Sequence, residues 1–397
     1  MNISRRNMNR ILARALSGSL LFTAALPVTA LAQTDDGNQT EDERQIAEET
    51  AASLQDGVLE YGELQDMIRL YNPTMEQALS SYNNTLEQYA EARAQLKRGQ
   101  YSVSTDKEEA EDNGDTEDYA YYASEEAIDK SAAASYQDMY ESMQETSSTS
   151  SLRQTERQMT VAAQALMISY DTMQLEKETA EKMCQLYEKQ YELAQTKQQA
   201  GMATQADVLS ANEQLLNARA SLETIQESQD EIYRSLCLMV GQETDGSLTI
   251  AEIPSADVSK IDSYDLESDT QKAIGNNYTL MSERHTSSGG TTSGVNNKKR
   301  NVAESEENLK IQMESLYNDI LQKKQELEAE KTAYEKAVQE KNLADTKYSL
   351  GMMSQTDYLS AEMAAIQAEA DYRSADLALV QAMDTYEWAV LGIADVE

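Results

Sequence analysis

Two carboxylates stand at matching places in this chain. Asp207 closes the run Gly201-Met202-Ala203-Thr204-Gln205-Ala206-Asp207, and Asp357 closes Gly351-Met352-Met353-Ser354-Gln355-Thr356-Asp357. A carboxylate three residues into a helix, behind a Thr or Ser, can cap backbone N–H groups and complement the helix dipole, worth about 0.3–1 kcal/mol. Other reactive groups are sparse. The chain has one His, His285, and two Cys, Cys184 and Cys237, too few for a disulfide scaffold or a zinc module. Between Asp106 and Asp129 lie eleven acids and one Lys. That run fails the calcium-loop pattern: with Gly114 at the sixth place, the twelfth residue is Ala120 rather than Glu. No nucleophile–base pair and no phosphate-cradling glycine loop occurs. The residues point away from an enzyme and call for no cofactor and no metal.

The elements that position the two Asp are written twice. The eleven residues from Gly201 to Ala211 recur from Gly351 to Ala361 at an offset of 150. Upstream of the second glycine, apolar positions step by fours and threes through Leu309, Met313, Leu316, Ile320, Leu327, Tyr334 and Tyr348. The same register shifted back gives Met159, Ala163, Leu166, Tyr170, Met173, Cys184 and Tyr187. Downstream, Val208, Leu215, Leu222 and Leu236 match Tyr358, Ala365, Tyr372 and Tyr386. An average period of 3.5 over such lengths is the seam of a long coiled-coil helix. Each copy therefore predicts a helix, a turn at Gly-Met and a return helix. Gly leaves a helix at low strain, and Thr204 and Ser354 stand where an N-cap would be. Along such a hairpin the two Cys differ by about 28 Å at 1.5 Å per residue, too far for a disulfide.

Upstream, Tyr71-Asn72-Pro73-Thr74-Met75 pairs more faintly with Asn276-Asn277-Tyr278-Thr279-Leu280. Pro73 fits the first turn of a helix from about 74 to 97. The organisation expected is a signal peptide over 1–32, an acidic flexible leader over 33–56, a first repeat over 57–253 with an acidic insert at 99–152, and a second repeat over 258–393. The acidic run predicts a loop or disorder, and so does the Ser/Thr/Gly/Asn stretch from His285 to Arg300. Its Lys298-Lys299-Arg300 end reads as solvated.

Arg5, Arg6, Arg10 and Arg14 precede an apolar run and the Ala30-Leu31-Ala32 pattern of a cleaved export signal. Seventy acids against 33 Lys plus Arg give a net charge of −37, which repels phosphate backbones and excludes a nucleic-acid partner. Three Pro and 15 Gly in 397 residues punctuate too little for a sandwich or propeller. The fold class expected is all-α: two repeated long antiparallel hairpins with little or no β-barrel. The 22 Tyr, against one Phe and one Trp, suit surfaces half buried and half wet.

The paired Gly-x-x-[Thr/Ser]-x-x-Asp turns, the Asn72-Pro73 helix start and the Leu238-Met239-Val240-Gly241 and Val390-Leu391-Gly392 endings resemble the TolC-like outer-membrane efflux proteins, over about residues 57 to 393. The resemblance implies a homotrimer closed into a hollow helical cylinder. Its glycine tips would face a periplasmic adaptor and an inner-membrane pump. By position, Asp207, Asp357 and Tyr348 match the family's entrance gate. Gly201, Met202, Thr204, Gly351, Met352 and Ser354 fall where adaptor tips dock. A basic residue that locks the second turn in the family corresponds to Met353, so no Asp–Arg latch is expected. The cap and gate roles of the two Asp stay open: carboxylates converging on one axis make a cation-attracting ring, and carboxylates facing outward make only caps.

The family's barrel strands need ~9–11 alternating residues each. The stretch from His285 to Arg300 has one aliphatic residue, Val295, so a barrel-less member is expected, in the cell envelope outside the cytoplasm. The function expected is a passive conduit driven by a partner pump. The alternative is a secreted coiled-coil spacer or adhesion protein without transport.

Overall fold

The computed structural model describes residue 54, residues 56–144 and residues 146–394. The expected signal peptide lies outside the described residues, as does most of the leader. Strand β1 (Val58–Leu59) is followed by a short 3₁₀ turn and helix α1 (Leu64–Tyr71). The long helices α2 (Pro73–Asp112), α3 (Thr116–Gln144), α4 (Thr146–Gln199) and α5 (Gln205–Met239) come next. After β2 (Thr249–Ile250) come the short helices α6 (Val258–Ile261), α7 (Leu266–Asn276) and α8 (Tyr278–His285). The chain ends in α9 (Thr292–Ser349) and α10 (Gln355–Val390). Among the described residues the only sheet is the parallel pairing of β1 with β2, Val58 opposite Thr249 and Leu59 opposite Ile250. The fold is all-α, built on the two hairpins α4–α5 and α9–α10.

On α9 the expected seam is the buried one, whereas on α4 only Ala163 of it is buried and the covered stripe moves to Met167, Ile168, Leu175 and Leu186. Leu309, Met313 and Ile320 on α9 are wholly buried against Leu379 and Tyr386 of α10. Ala163 on α4 joins Met167, Leu236, Leu64 and Ile68 in the first copy. Buried Gln229 spends its amide on Gln174 across the first seam at 2.6 Å, since a polar group left alone there would cost the full desolvation penalty.

Two expectations are corrected. The acidic run is not a loop: residues 106–129 form the end of α2 and the start of α3, joined at Gly114, whose φ is +72°. Leu96, Val103 and Ala110 recur every seventh residue, and Val103 and Ala110 are buried; eight of the eleven acids are exposed, while Glu126 turns in to Lys107 across the hairpin. Asp115 accepts from the N–H groups of Glu117 and Asp118 and starts α3. Likewise residues 292–300 are helical. Only 286–291 turns, and Thr291 caps α9 through the Gly294 N–H at 3.0 Å. Lys298 is no solvated end: its Nζ donates to the last carbonyls of α8, Arg284 and Thr286, each at 2.6 Å.

Both copies close at their base by one device. Asn72 accepts from the N–H groups of Thr74 and Met75 at 2.9 and 3.1 Å and donates to the Met239 carbonyl at 2.7 Å. Asn277 accepts from the Leu280 N–H and donates to the Ala394 carbonyl, each at 2.9 Å. A buried amide thus joins the start of one helix to the end of another. Glycine lets the chains meet: a methyl group at Gly241 would lie 1.9 Å from the Tyr71 carbonyl oxygen, and one at Gly392 2.2 Å from that of Asn276. Tyr hydroxyls complete the junction. Tyr61 donates to Asp384, Tyr264 to Glu387 at 2.6 Å and Tyr386 to Asp269 at 3.1 Å. Burial, with the neighbouring carboxylates, pushes all three phenols up.

Gly241→Ala and Gly392→Ala should each cost about 3 kcal/mol, the left-handed backbone penalty plus displacement of a packed carbonyl. Gly114→Ala, at a similar φ with open space around it, should cost about 1 kcal/mol. Urea unfolding followed by circular dichroism would check the contrast.

Candidate functional site at the hairpin tips

The tips share one end of the molecule. Helices α4 and α10 pack along their length, and their partners stand at equal heights. Gln190, eleven residues before Gly201, meets Met363, twelve after Gly351. Lys182, nineteen before, pairs with Glu369, eighteen after, at 3.1 Å. Gln164, 37 before, accepts from the Trp388 indole, 37 after. Equal counts from the two bends are possible only if both bends point the same way.

The two turns are built alike. Gly201 and Gly351 take φ of +72° and +71°. The next N–H of each, Met202 and Met352, reaches back to Lys197 at 2.7 Å and Lys347 at 2.8 Å, the bond that closes a helix end on a left-handed glycine. Thr204 then caps α5: its hydroxyl accepts from the Asp207 N–H at 3.2 Å, and Asp207 Oδ2 accepts from the Thr204 N–H at 2.7 Å and hydroxyl at 2.9 Å. Ser354 caps α10 in the same way, accepting from the Asp357 N–H at 3.1 Å and donating to Asp357 Oδ2 at 2.7 Å. The Thr204 N–H, with its hydroxyl, holds the Asp207 carboxyl below the usual carboxylate range. Asp207 completes a capping box by accepting the Thr204 N–H, while Asp357 accepts only the Ser354 hydroxyl; in both the bonding falls on one oxygen, Oδ2.

Tyr348 stacks on Tyr358, the residue after Asp357, with ring centroids 4.5 Å apart and planes at 15°. Tyr358 leads to a residue that sequence reading passed over, Asp345. Its carboxylate receives Lys341 Nζ at 2.9 Å, and that hydrogen bond holds it below the usual range. Burial, then the contact with Asp345, raises the Tyr358 phenol. The signal was present as a Lys–Asp pair four residues apart on a helix. The tips also carry exposed apolar side chains at matched places: Met202 and Met352 are each 75 % exposed. The thiols take no part. Cys237 is buried and Cys184 half-buried, and burial raises both. Among the described residues no helix is long and apolar enough to cross a membrane.

A carboxylate depressed in the folded state stabilises above its unfolded pKa and loses that contribution as pH falls through its folded one. The protection of the amides at residues 204–208, their exchange relative to the unfolded chain at the same pH, should therefore fall as pH drops below the ordinary carboxylate range. Asp207→Asn should show the lower protection already at neutral pH.

No family model and no curated protein matches the chain. Several solved structures are similar to it, three of them as follows. The outer membrane protein VceC from Vibrio cholerae is 16 % identical, with 66 % of this chain and 75 % of that one covered and a TM-score of 0.43. A membrane protein from Pseudomonas aeruginosa is 14 % identical, covering 84 % and 92 % at 0.46. The Campylobacter jejuni CmeC outer membrane channel is 13 % identical, covering 66 % and 69 % at 0.42. The fold described above rests on the chain's own helices.

Proposed function

We propose that three copies of this chain close into a helical tube that passes solutes through the cell envelope, driven by a partner pump, rather than an enzyme or a spacer. One observation carries this reading: inside the chain, one of two repeat-related interfaces is made and the other is not. Helix α4 packs against α10. The equivalent partners by the repeat, α9 and α5, form the two outer edges. Leu359 of α10 is 1 % exposed, yet its counterpart Leu209 on α5 is 58 % exposed. Leu216 and Leu238 are exposed too, where their counterparts Ile366 and Trp388 are half-buried. On α9, where Val295 is exposed near the start, Ile311 and Leu343 are the most exposed aliphatics. Their counterparts Val161 and Leu193 lie on the same stripe of α4 as Gln164 and Lys182.

The heights agree as well. Leu343 stands eight residues before Gly351 and Leu209 eight after Gly201. An edge that fits a different edge of the next copy is a heterologous contact, and such contacts close into rings. The number three and the adaptor and pump partners come from the resemblance in the turn motifs. Exposed Met202 and Met352 beside Gly201, Thr204, Gly351 and Ser354 form the docking surface for the adaptor. Asp207, Asp357 and Tyr348 line the entrance, and the second oxygen of each capping Asp faces the passing ion. A secreted spacer would have the same rods but no use for open edges at matched heights.

Leu216→Glu should weaken assembly at least about tenfold, or ~1.4 kcal/mol, by light scattering across a dilution series; a parent chain that is monomeric at all concentrations would remove the tube. In a conducting trimer, Asp357→Lys should reverse the ion preference, and an unchanged preference would leave the carboxylate as a cap alone.

A further inference from the structure

Helices α2 and α3 form a third hairpin. The corresponding place in the second copy holds only α8 and a short turn. From Tyr82, whose hydroxyl donates to the Met143 carbonyl at 2.8 Å, to the bend at Gly114, the arm spans about 48 Å at 1.5 Å per residue. The contacts given for its outer part stay inside the hairpin: Tyr89 with Tyr136, Arg93 with Gln137, Lys107 with Glu126 at 2.6 Å. Over this length only Val103, Ala110 and Ala133 are buried. Two helices with so thin a seam gain little from each other, since helical stability comes mainly from packing an apolar face.

The prong has two further faces, both turned away from that seam. On α3, Tyr121, Ile128 and Met139 are exposed, and their spacings of seven and eleven place them on one line of a 3.6-residue helix. On α2, Tyr101 is 80 % exposed, with Lys97 one turn below it. Tyr101 lies thirteen residues before Gly114 and Ile128, 67 % exposed, fourteen after. The faces are level. They also differ in charge: Lys97 and Arg98 are exposed cations on α2, and half-buried Glu125 edges the line on α3; Asp129 instead turns to Gly99 across the prong's own seam.

We propose that the prongs of neighbouring copies pack side by side, Tyr101 of α2 in one copy seating on the Tyr121–Ile128–Met139 line of α3 in the next. A helical collar then continues the tube at the end opposite the tips. The occupant is a second copy because the two faces are complementary and stand at one height, which rotation about a common axis preserves. The collar rests on the trimer proposed above.

The full chain carrying Tyr101→Cys and Ile128→Cys together, mildly oxidised, should run as a covalent trimer on a non-reducing gel. The parent, with Cys184 and Cys237 only, should not, and neither should either single variant. Leu209→Cys with Leu343→Cys is the companion pair for the tube edges. Trimers from both pairs support the collar. Trimers from the companion pair alone overturn it and leave the tube standing, and trimers from neither remove both. Ile128→Lys, which needs no added cysteine, should speed proteolysis within residues 99–130 about tenfold, as expected if covering that face is worth a factor of ten in local opening; unchanged cleavage in an intact trimer overturns the collar.

Discussion

An apolar stripe on a rod can be covered only by another rod. Helix α9 runs for 58 residues, about 87 Å at 1.5 Å per residue, and its seam of Leu309, Met313 and Ile320 turns slowly along one side. Among the described residues no loop or sheet is long enough to lie over it. The return helix must, and Gly351 with the Ser354 cap makes the return. The same constraint acts on α4 and α5. Once each hairpin has covered its own seam, each helix still has flanks, and those decide how hairpins meet. The partners of α4 and α10 at equal heights show one such meeting inside the chain.

The base is where rods become a single body. Asn72 and Asn277 sit in the same role in two copies whose lengths differ, because the role depends on local geometry rather than on spacing. Each amide satisfies backbone N–H at a helix start, which helix termini leave without partners, and a carbonyl where another helix finishes: Met239 at the end of α5 and Ala394 just past the end of α10. Each stands against a glycine that no side chain could replace. Carboxylates on α7 and α10 are tied in by Tyr hydroxyls. The tyrosine excess has its use there: a ring that fills the junction and a hydroxyl that answers a charge.

The acidic segment shows how charge misleads. Eleven acids in 24 residues repel one another, but on two helices most fan outward into water, where screening reduces the repulsion, and Glu126 is neutralised by Lys107 and Lys130. What decides order is the narrow side that remains. Leu96, Val103 and Ala110 continue the period of the preceding helix without a break, and Asn113-Gly114-Asp115 holds both a glycine stop and an Asp start. Those signals were in the sequence and were outweighed by composition. For 292–300 the cue was Thr291 with Gly294, a cap hidden in a polar run.

The two rods per repeat, the seam of α9, the glycine bends, the Thr204 and Ser354 caps and the scarcity of strands were all legible from residue types and spacing, because each depends on neighbours within a few turns. Asp345 beside Tyr358 was not, since the two lie on different arms and meet only when the hairpin closes. Nor was the common direction of the two bends, the packing of α4 on α10, or the exposure of Leu209 where Leu359 is covered. Identical motifs cannot say which copy finds a partner inside the chain. That is settled by the order in which rods stand side by side, and it leaves one edge of each repeat facing outward.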